Sequence, residues 1–344
     1  MTTSSYRTPG NVYHRFLKQF WYLYICGSYI ALTDCLKDLF RKAPVIDVQK
    51  YGRRTDEVVV MTGGSNGIGV GIVKKLLELD YTIILGVQSM AKGEKQIADI
   101  RKLGITSGRV KLLSLDLKSL YSVRQFTKEV LSCREGKRID MLVNNAGFVN
   151  SFYEKTQDNY ESIFQVNYLS HFLLTNLLVP RMKETATKKN EPCQITFTSS
   201  CAQRGAHIDF DELETTKVYS SAKRYGDSKL CLTVHAKTLQ KKFRQEGINI
   251  HTYACHPGAI ATNLWHNLGV IAGLLHPIAN LVFRSTDDAA CVVLYPSLTP
   301  GVGNKLGGEY FESGKAVPPN KQVDLPEVQK RLWERSLELT QEAN

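Results

Sequence analysis

The chain has 344 residues, of which 43% are hydrophobic and 22% are charged. This composition supplies a large apolar core and excludes intrinsic disorder, a collagen helix and a coiled coil. Lysine and arginine number 44 against 33 aspartates and glutamates, which gives a formal net charge of +11. The surplus favours anionic partners such as phosphates, phospholipid head groups or nucleic acid, without choosing among them.

Eight cysteines are scattered along the chain, with no Cys-x-x-Cys pair and no histidine cluster at metal-binding spacing. We therefore expect neither a metal site nor a disulfide framework. The basic surplus is not accompanied by any recognised nucleic-acid-binding module, so we do not expect a nucleic-acid partner.

The first 50 residues differ in composition from the rest of the chain. Basic residues precede an uncharged run, FWYLYICGSYIALT, which begins at Phe20 and ends at Thr33. The run is shorter than the roughly 20 residues of a spanning helix, but its aromatic residues and basic flanks are typical of an interfacial or signal-anchor segment. Membrane attachment is the favoured interpretation of this extension, residues 1–50. A helix packed on the body and a cleaved signal peptide stay open as alternatives.

From Glu57 onward, β-branched runs alternate with amphipathic helical segments. The predicted strands are residues 58–62, 82–87, 110–115, 141–144, 194–198, 248–254 and 309–311. This alternation predicts an α/β fold of the Rossmann type, in which a doubly wound parallel sheet is covered by helices on both faces. We find no linker or internal repeat within residues 51–344, and we therefore expect a single domain there. A second apolar stretch, from Leu268 to Phe283, is interrupted by Pro277 and is expected to cap a substrate pocket or form a membrane-facing lip.

The first predicted strand runs directly into a glycine-rich turn, TGGSNGIG, over residues 62–69. Glycines let such a turn approach a pyrophosphate, which then lies on the amides and the positive dipole end of the following helix. A purely structural strand-to-helix turn would look the same. The candidate cofactor-binding residues of this turn are Gly63, Ser65, Asn66, Gly67, Ile68 and Gly69.

Further motifs follow the turn in a fixed order. They are Asp116 after the third predicted strand, NNAG at residues 144–147, Asn167, Ser200, the pair Tyr225 and Lys229 in Tyr-x-x-x-Lys spacing, and HPG at residues 256–258. In this ordered set the chain resembles the short-chain dehydrogenase/reductase family, over roughly residues 55–340. The part beyond Leu268 is similar to the retinol-dehydrogenase-like and chromosome-X dehydrogenase/reductase members of that family.

The resemblance implies a role for each matched residue. Tyr225 would be the general acid/base, and Ser200 would orient the substrate oxygen. Lys229, together with the positively charged nicotinamide of the oxidised cofactor, would lower the pKa of Tyr225 and would also bind the nicotinamide ribose. Bringing a tyrosine from a pKa near 10 to ~7 requires about 4 kcal/mol of preference for the phenolate. Asn167, in a helix predicted over residues 160–178, would hold a water that links Lys229 to solvent. The cofactor contacts implied outside the glycine turn are Asp116, Asn144, Ala146, Tyr225, Lys229, Pro257, Gly258 and Thr262.

A second Tyr-x-x-x-Lys pair, Tyr219 with Lys223, competes with Tyr225 and Lys229. The later pair is preferred because Lys229 leads directly into a long helical stretch. The separation of 25 residues from Ser200 to Tyr225 is also the one expected of the retinol-dehydrogenase-like branch. Ser200 and Asn167 could equally have only structural roles. So could His256, which is expected to shape the loop beside the nicotinamide, and Ser199 competes with Ser200 for the substrate oxygen.

Cofactor choice depends on the end of the second predicted strand, GVQS at residues 86–89. It contains no acid that would accept the adenosine ribose hydroxyls and repel a 2′-phosphate. The family's usual phosphate-binding arginine is also missing, and Lys92 is the nearest base. We expect NADP(H) to be preferred, with NAD(H) as an alternative.

Together, the motifs and the resemblance imply a membrane-associated oxidoreductase. It would interconvert a lipophilic alcohol, such as a retinoid, a polyprenoid or a similar long-chain lipid, with its aldehyde or ketone. A steroid or general carbonyl reductase and a non-catalytic nucleotide-binding scaffold are the alternatives. The expected location is the endoplasmic reticulum or a lipid droplet, with the catalytic side in the cytosol. A homodimer is also anticipated, because relatives often pair through the helices that flank the catalytic tyrosine.

Overall fold

The computed structural model of the protein describes residue 33 and residues 41–214, 219–260 and 284–342. The N-terminal apolar run up to residue 32, the apolar stretch from Leu268 to Phe283, and Thr262 lie outside these residues. Within the described part, none of the helices combines the length and the apolar character that a membrane crossing requires.

An eight-stranded sheet forms the centre of the fold. Its strands are β1 (Val58–Thr62), β2 (Thr82–Val87), β3 (Arg109–Ser114), β4 (Met141–Asn144), β5 (Cys193–Thr198), β6 (Ile250–His256), β7 (Tyr310–Glu312) and β8 (Lys315–Ala316). The strand order is β3-β2-β1-β4-β5-β6-β7-β8, and all neighbours are parallel except β7 and β8. This confirms the predicted doubly wound parallel sheet. The order reverses between β1 and β4, the point where such sheets bind ligands at their carboxyl edge.

Helices cover both faces of the sheet. They are α1 (Val48–Tyr51), α2 (Ile68–Glu78), α3 (Met90–Lys102), α4 (Leu120–Ser132), α5 (Ser162–Phe164), α6 (Ser170–Lys189), α7 (Ser221–Gln245), α8 (Thr286–Leu298), α9 (Val302–Leu306) and α10 (Pro326–Glu342). A π-helical turn, Gln165–Leu169, joins α5 to α6. Short 3-10 turns lie at Glu135–Lys137, Cys201–Gly205 and Lys321–Asp324.

Successive residues of β1 contribute to two different apolar clusters. Val58 and Val60 belong to the cluster under α4, α6, α7 and α10, whereas Val59 and Met61 belong to the cluster under α2, α3 and α8. This alternation follows from the two-residue period of a strand. In a sheet that is covered on both faces, the sequence of each strand is therefore a continuous apolar run. Burying each of these side chains contributes roughly 1.5–3 kcal/mol, and the two clusters fix the carboxyl edge of the sheet as a rigid platform.

Several boundaries differ from those predicted. β6 begins at Ile250 rather than at residue 248, because Gly247 turns the chain with a φ of +64° just before it. The two-residue strand β8 is too short to leave a sequence pattern. Ile46 and Tyr51 are buried in the core, so the packed body begins before residue 50. The helix predicted over residues 160–178 is divided by the π turn and then continues to residue 189.

Candidate active site

A cleft of about 820 Å³ opens at the carboxyl ends of β1 and β4. The volume lies in the range of small-molecule and cofactor sites. The cleft is lined by the turn after β1, the end of β2, the segments after β3 and β4, and the start of α7. The predicted residues among its lining are Gly63, Ser65, Asn66, Gly67, Ile68, Gly69, Asp116, Ala146, Tyr225, Lys229 and Pro257.

The glycine turn is packed so closely that a side chain would not fit at Gly63 or Gly69. Gly63 has a φ of +72°, and a Cβ on it would lie 2.6 Å from the Cα of Ala146. A Cβ on Gly69 would lie 1.8 Å from the carbonyl oxygen of Gly63. Gly67, with a φ of +53°, is the N-cap of α2. This close packing brings the first amides of α2 to the wall of the cleft, an arrangement that fits the diphosphate of a dinucleotide.

Asn145 and Thr62 fasten the turn to the neighbouring strands. The Thr62 hydroxyl accepts hydrogen bonds from the amides of Asn145 and Ala146, both at 3.1 Å. The Asn145 side chain donates to the carbonyl oxygen of Gly63 at 2.8 Å and accepts from the Thr198 hydroxyl at 3.1 Å. The sequence analysis did not single out either side chain. The doubled asparagine of the NNAG run was the available signal.

Asn144, a predicted cofactor contact, points elsewhere. Its side chain is buried and donates to the Thr175 hydroxyl at 3.0 Å, so that it joins β4 to α6. In this structure the neighbouring residue Asn145 lines the cleft.

A buried histidine that the sequence analysis missed extends this network. His171 Nδ1 donates to the carbonyl oxygen of Asn167 at 3.0 Å, because a carbonyl can only accept. Burial lowers the pKa of His171 to about 4, so the ring is neutral at physiological pH. Its Nε2 is therefore an acceptor, and the Thr62 hydroxyl donates to it at 2.9 Å. The spacing of four residues from Asn167 on a helical segment was the available sequence signal.

Tyr225 and Lys229 lie one helical turn apart near the start of α7. The Lys229 Nζ lies 5.6 Å from the centre of the Tyr225 ring and donates to the carbonyl oxygen of Thr198 at 2.7 Å. The Tyr225 hydroxyl is hydrogen-bonded to Ser200, which caps the 3-10 turn after β5. The fold therefore brings three predicted catalytic residues together: Tyr225 and Lys229 line the cleft, and Ser200, which is not among the lining residues, joins them through its hydrogen bond to Tyr225.

Burial sets the electrostatics of this pair within the chain itself. Burial raises the pKa of Tyr225 to about 12, against the opposing effect of the Ser200 hydrogen bond. Burial also lowers the pKa of Lys229 to about 7. Both shifts have the same cause, because a site shielded from water disfavours the charged form of each group. The groups of the chain thus hold Tyr225 protonated at neutral pH, ready to donate a proton.

Asn167 lies in the π turn and is fully buried. Its side chain accepts from the amide of Phe148 at 2.9 Å and donates to the carbonyl oxygen of Phe148 and to the Ser228 hydroxyl, both at 3.1 Å. A Cβ on Gly147 would lie 3.1 Å from Lys229 Nζ and 3.3 Å from Asn167 Oδ1. Because Gly147 has no side chain, both Lys229 Nζ and Asn167 Oδ1 can lie close to its backbone. π turns are often found at functional positions of this kind.

The competing candidates have other partners. The Ser199 hydroxyl donates to the carbonyl oxygen of Lys229 at 3.0 Å and thereby fixes α7 on β5. The Tyr219 hydroxyl donates to the carbonyl oxygen of Asn150 at 2.5 Å. Lys223 is paired with Asp227 at 2.7 Å. These contacts account for Tyr219 and Lys223 without any role in the cleft, whereas Ser199 also lines the cleft.

The far end of the cleft would receive the adenosine. Gln88 Nε2 lies 3.4 Å from Asp116 Oδ1, which also accepts the Lys118 amide at 2.9 Å. The residues directly after β2, Gln88 and Ser89, include no carboxylate. At the nicotinamide end, Pro257 lines the cleft and Gly258 turns the chain with a φ of +97°.

Comparisons with known proteins agree with this geometry. The sequence pattern of the family described as short chain dehydrogenase matches residues 57–270. The chain belongs to the short-chain dehydrogenase/reductase family. This short-chain dehydrogenase is 34% identical to retinol dehydrogenase 13 of Mus musculus over 321 residues, which cover 92% of each chain. It is 30% identical to polyprenol dehydrogenase of Homo sapiens, with 83% of this chain and 86% of that protein covered.

A solved structure supports the same fold for this short-chain dehydrogenase. An uncharacterized protein from Mycobacterium paratuberculosis matches it with a TM-score of 0.68 and 26% identity, and the match covers 86% of this chain and 97% of that one. The family membership predicted from the ordered motifs is thus confirmed. As a member, this short-chain dehydrogenase is a nicotinamide-dependent oxidoreductase.

Proposed function

We propose that this oxidoreductase interconverts a lipophilic alcohol, a retinoid, a polyprenoid or a similar long-chain lipid, with its aldehyde or ketone. The observation that carries the catalytic part is the convergence of Tyr225, Lys229 and Ser200 beside the glycine turn. The substrate class is supported by relatives that are named for retinol and polyprenol and match over most of the chain.

A bound nicotinamide cofactor would supply or accept the hydride in this site. The amides at the start of α2 would hold its diphosphate, Asp116 would contact the adenine end, and Lys229 would bind the ribose. Tyr225 would then donate a proton to the carbonyl oxygen of the substrate, while the Ser200 hydroxyl orients that oxygen. Lys229 would return the proton to Tyr225, and Asn167 holds the segment after β4 in place for this step.

NADP(H) is proposed as the preferred cofactor, with NAD(H) also accepted. The support is chemical, since the end of β2 offers the amide of Gln88 rather than a carboxylate that would repel a 2′-phosphate. We expect Gln88→Asp to raise KM for NADPH about tenfold and to leave KM for NADH unchanged or lower. Gln88→Asn serves as the control, and equal effects of both variants on the two cofactors would contradict this assignment.

Membrane attachment through the apolar run from Phe20 to Thr33 is part of the proposal, at the endoplasmic reticulum or a lipid droplet with the catalytic side in the cytosol. A homodimer is also proposed. If α6 and α7 form its interface, α10 must take part in that interface, because α10 packs against this part of the molecule. The ring of Trp333 in α10 packs 5.2 Å from that of Phe172 in α6, and Tyr168 is hydrogen-bonded to Ser336 at 2.8 Å.

The proposal is tested by steady-state NADPH oxidation in mild detergent with retinoid, polyprenoid, fatty and steroid carbonyls. We expect turnover of the long isoprenoid or fatty substrates. Turnover of steroids alone would favour the general carbonyl reductase. Tight NADPH binding without turnover of any of these substrates would favour a non-catalytic scaffold.

A further inference from the structure

Two segments of the described chain meet at Arg284, beside the carboxyl edge of the sheet. Its guanidinium group donates to the carbonyl oxygen of Arg41 at 2.9 Å, and its amide donates to the carbonyl oxygen of Ala259 at 2.8 Å. In the sequence, the apolar run 20–33 precedes Arg41, and the apolar run 268–283 lies between Ala259 and Arg284. The described residues that adjoin both apolar runs are therefore held side by side.

A group of basic residues surrounds the same place. Glu312, at the carboxyl end of β7, is only 3% exposed and is paired with Arg41 at 3.9 Å and with Arg204. Arg284 donates to the Ser313 hydroxyl at 2.7 Å, in the turn between β7 and β8. We call the cationic residues of this place the edge cluster, which consists of Arg41, Lys42, Arg204, Arg284 and Lys315.

Lys315 belongs to the cluster because it is directly opposite Glu312 in the pairing of β7 with β8. Opposed residues of an antiparallel pair project on the same side of the sheet. Both Lys315 and Lys42 are exposed. Val45, three residues after Lys42, has a side chain that is 65% exposed. The cluster thus combines cations that reach solvent with an apolar side chain beside them.

The charges of the edge cluster are strongly unbalanced. Among the described residues, Arg41 and Arg204 share the carboxylate of Glu312, and the exposed Lys42 and Lys315 add two further cations. Asp287 and Asp288 follow Arg284 in the sequence but are directed elsewhere, since Asp287 is paired with Lys74 of α2 and Asp288 accepts from the Ser285 hydroxyl. A net positive surface with exposed lysines attracts anions, and an anionic lipid surface attracts each such side chain by about fivefold in binding.

The edge cluster lies close to the active site along the same edge. His256 of β6 pairs with Glu312, and Cys255 pairs with Thr198 of β5. Since neighbouring strands are about 4.8 Å apart, Glu312 lies on the order of 10 Å from the end of β5, where Ser200 begins the catalytic turn. A surface bound at the cluster would therefore adjoin the opening through which a substrate reaches Tyr225.

We propose that the edge cluster binds the head groups of anionic lipids and turns the carboxyl edge of β5, β6 and β7 toward the bilayer. The occupant is a lipid surface rather than a free anion, because one apolar run ends directly before Arg284 and the other ends eight residues before Arg41 in the sequence. The inference rests on the proposed function for the claim that the substrate enters from that bilayer. The orientation of the protein on the membrane does not depend on which lipid is reduced.

The test is co-flotation of the full-length protein with vesicles of phosphatidylcholine alone and of phosphatidylcholine mixed with phosphatidylserine. The ratio of the two partition coefficients isolates the charge-dependent part of binding, since apolar segments contribute to both. We expect the ratio to fall at least about tenfold in the double variant Lys42→Glu with Lys315→Glu. The matched control, Lys128→Glu with Lys188→Glu, changes the net charge equally on exposed positions of α4 and α6 and should keep the ratio.

Either of two results would overturn the proposal. One is an unchanged ratio in the Lys42→Glu and Lys315→Glu variant, and the other is an equal fall in the control, which would attribute binding to net charge alone. NADPH-dependent turnover in detergent is measured in parallel on all three proteins and should be equal. A wild-type protein without turnover would contradict the proposed function, but the flotation result would still test the binding of anionic lipids.

Discussion

The two Tyr-x-x-x-Lys pairs at the start of α7 are six residues apart and have the same spacing, but their surroundings differ. Lys229 is buried, with its ammonium group on the carbonyl oxygen of Thr198, whereas Lys223 is half-buried and paired with Asp227. The pKa of Tyr219 is raised to about 12, as is that of Tyr225, so the tyrosines alone do not distinguish the pairs. The two pairs differ in the burial of the lysine and in whether the pair lines the cleft. The chemistry of a Tyr-x-x-x-Lys motif therefore depends on its surroundings.

Exchanging each tyrosine gives the largest contrast. We expect Tyr225→Phe to lower kcat about 10³-fold, because the substrate oxygen loses its proton donor. Tyr219→Phe should stay within about threefold of the wild type, since it removes only a hydrogen bond to the Asn150 backbone. NADPH binding, followed by fluorescence, should be unchanged in both. Retained turnover in Tyr225→Phe with loss in Tyr219→Phe would reverse the assignment.

Exchanging the lysines should separate the pairs by a smaller factor. Lys229→Met removes the group that returns the proton to Tyr225 and contacts the ribose, so kcat/KM should fall about 10²-fold and NADPH binding should weaken. Lys223→Met removes an ion pair with Asp227 and should lower thermal stability with little change in kcat. Equal kinetic losses in the two variants would contradict the separation.

The pH dependence of stability tests the burial of Lys229 directly. Its pKa is about 7 in the folded protein against an ordinary 10.5, so between these values the unfolded chain binds more protons than the folded one. The folded protein therefore gains stability as the pH rises through this window. Relative to Lys229→Met, the free energy of unfolding of the wild type should increase by roughly 2–4 kcal/mol from about pH 7 to about pH 10. Urea unfolding at the two pH values measures it, and a constant difference would show that Lys229 is not desolvated.

Two buried neutral histidines provide the smallest contrast. His171→Leu breaks the link from Asn167 to Thr62 beneath the glycine turn, and we expect KM for NADPH to rise about tenfold. His235, whose pKa burial lowers to about 3, packs in an aromatic cluster with Phe172 and should affect stability only when changed to leucine. His171→Asn tests whether a shorter side chain that can both donate and accept restores the link between Asn167 and Thr62. Parallel losses of stability and of cofactor affinity in both leucine variants would assign His171 a packing role.

The sequence predicted most of what depends on local pattern. Six of the seven predicted strands, including β1 and β2, were placed within one residue at both ends of their observed bounds or exactly on them, because continuous β-branched runs mark buried parallel strands. The glycine turn could also be predicted from local pattern, because its conformation admits few residues other than glycine at some of its positions. Contacts that join distant positions could not be read, and the bonds of His171 to Thr62 connect residues more than a hundred positions apart.

The pKa shifts were beyond sequence reasoning for a different reason. The lowering of the Tyr225 pKa by Lys229 together with the oxidised nicotinamide stays a prediction, whereas the burial of both groups by the chain shifts the two pKa values toward the neutral forms. Burial depends on how α7 packs against β5, which the spacing of the motif does not encode. The π turn was hidden as well, because its apolar residues continue the spacing of the helix on either side.

That π turn has a consequence for how the chain can change length. Each residue in a helix advances the direction of the side chains by about 100°. Removing one residue between Gln165 and Leu169 would restore regular helical winding, but it would rotate either Asn167 away from Phe148 or the whole of α6 away from its place against the sheet. A deletion of one residue here has no compensating neighbour, because either rotation breaks contacts of buried residues. We therefore regard the length of this segment as fixed together with the active site.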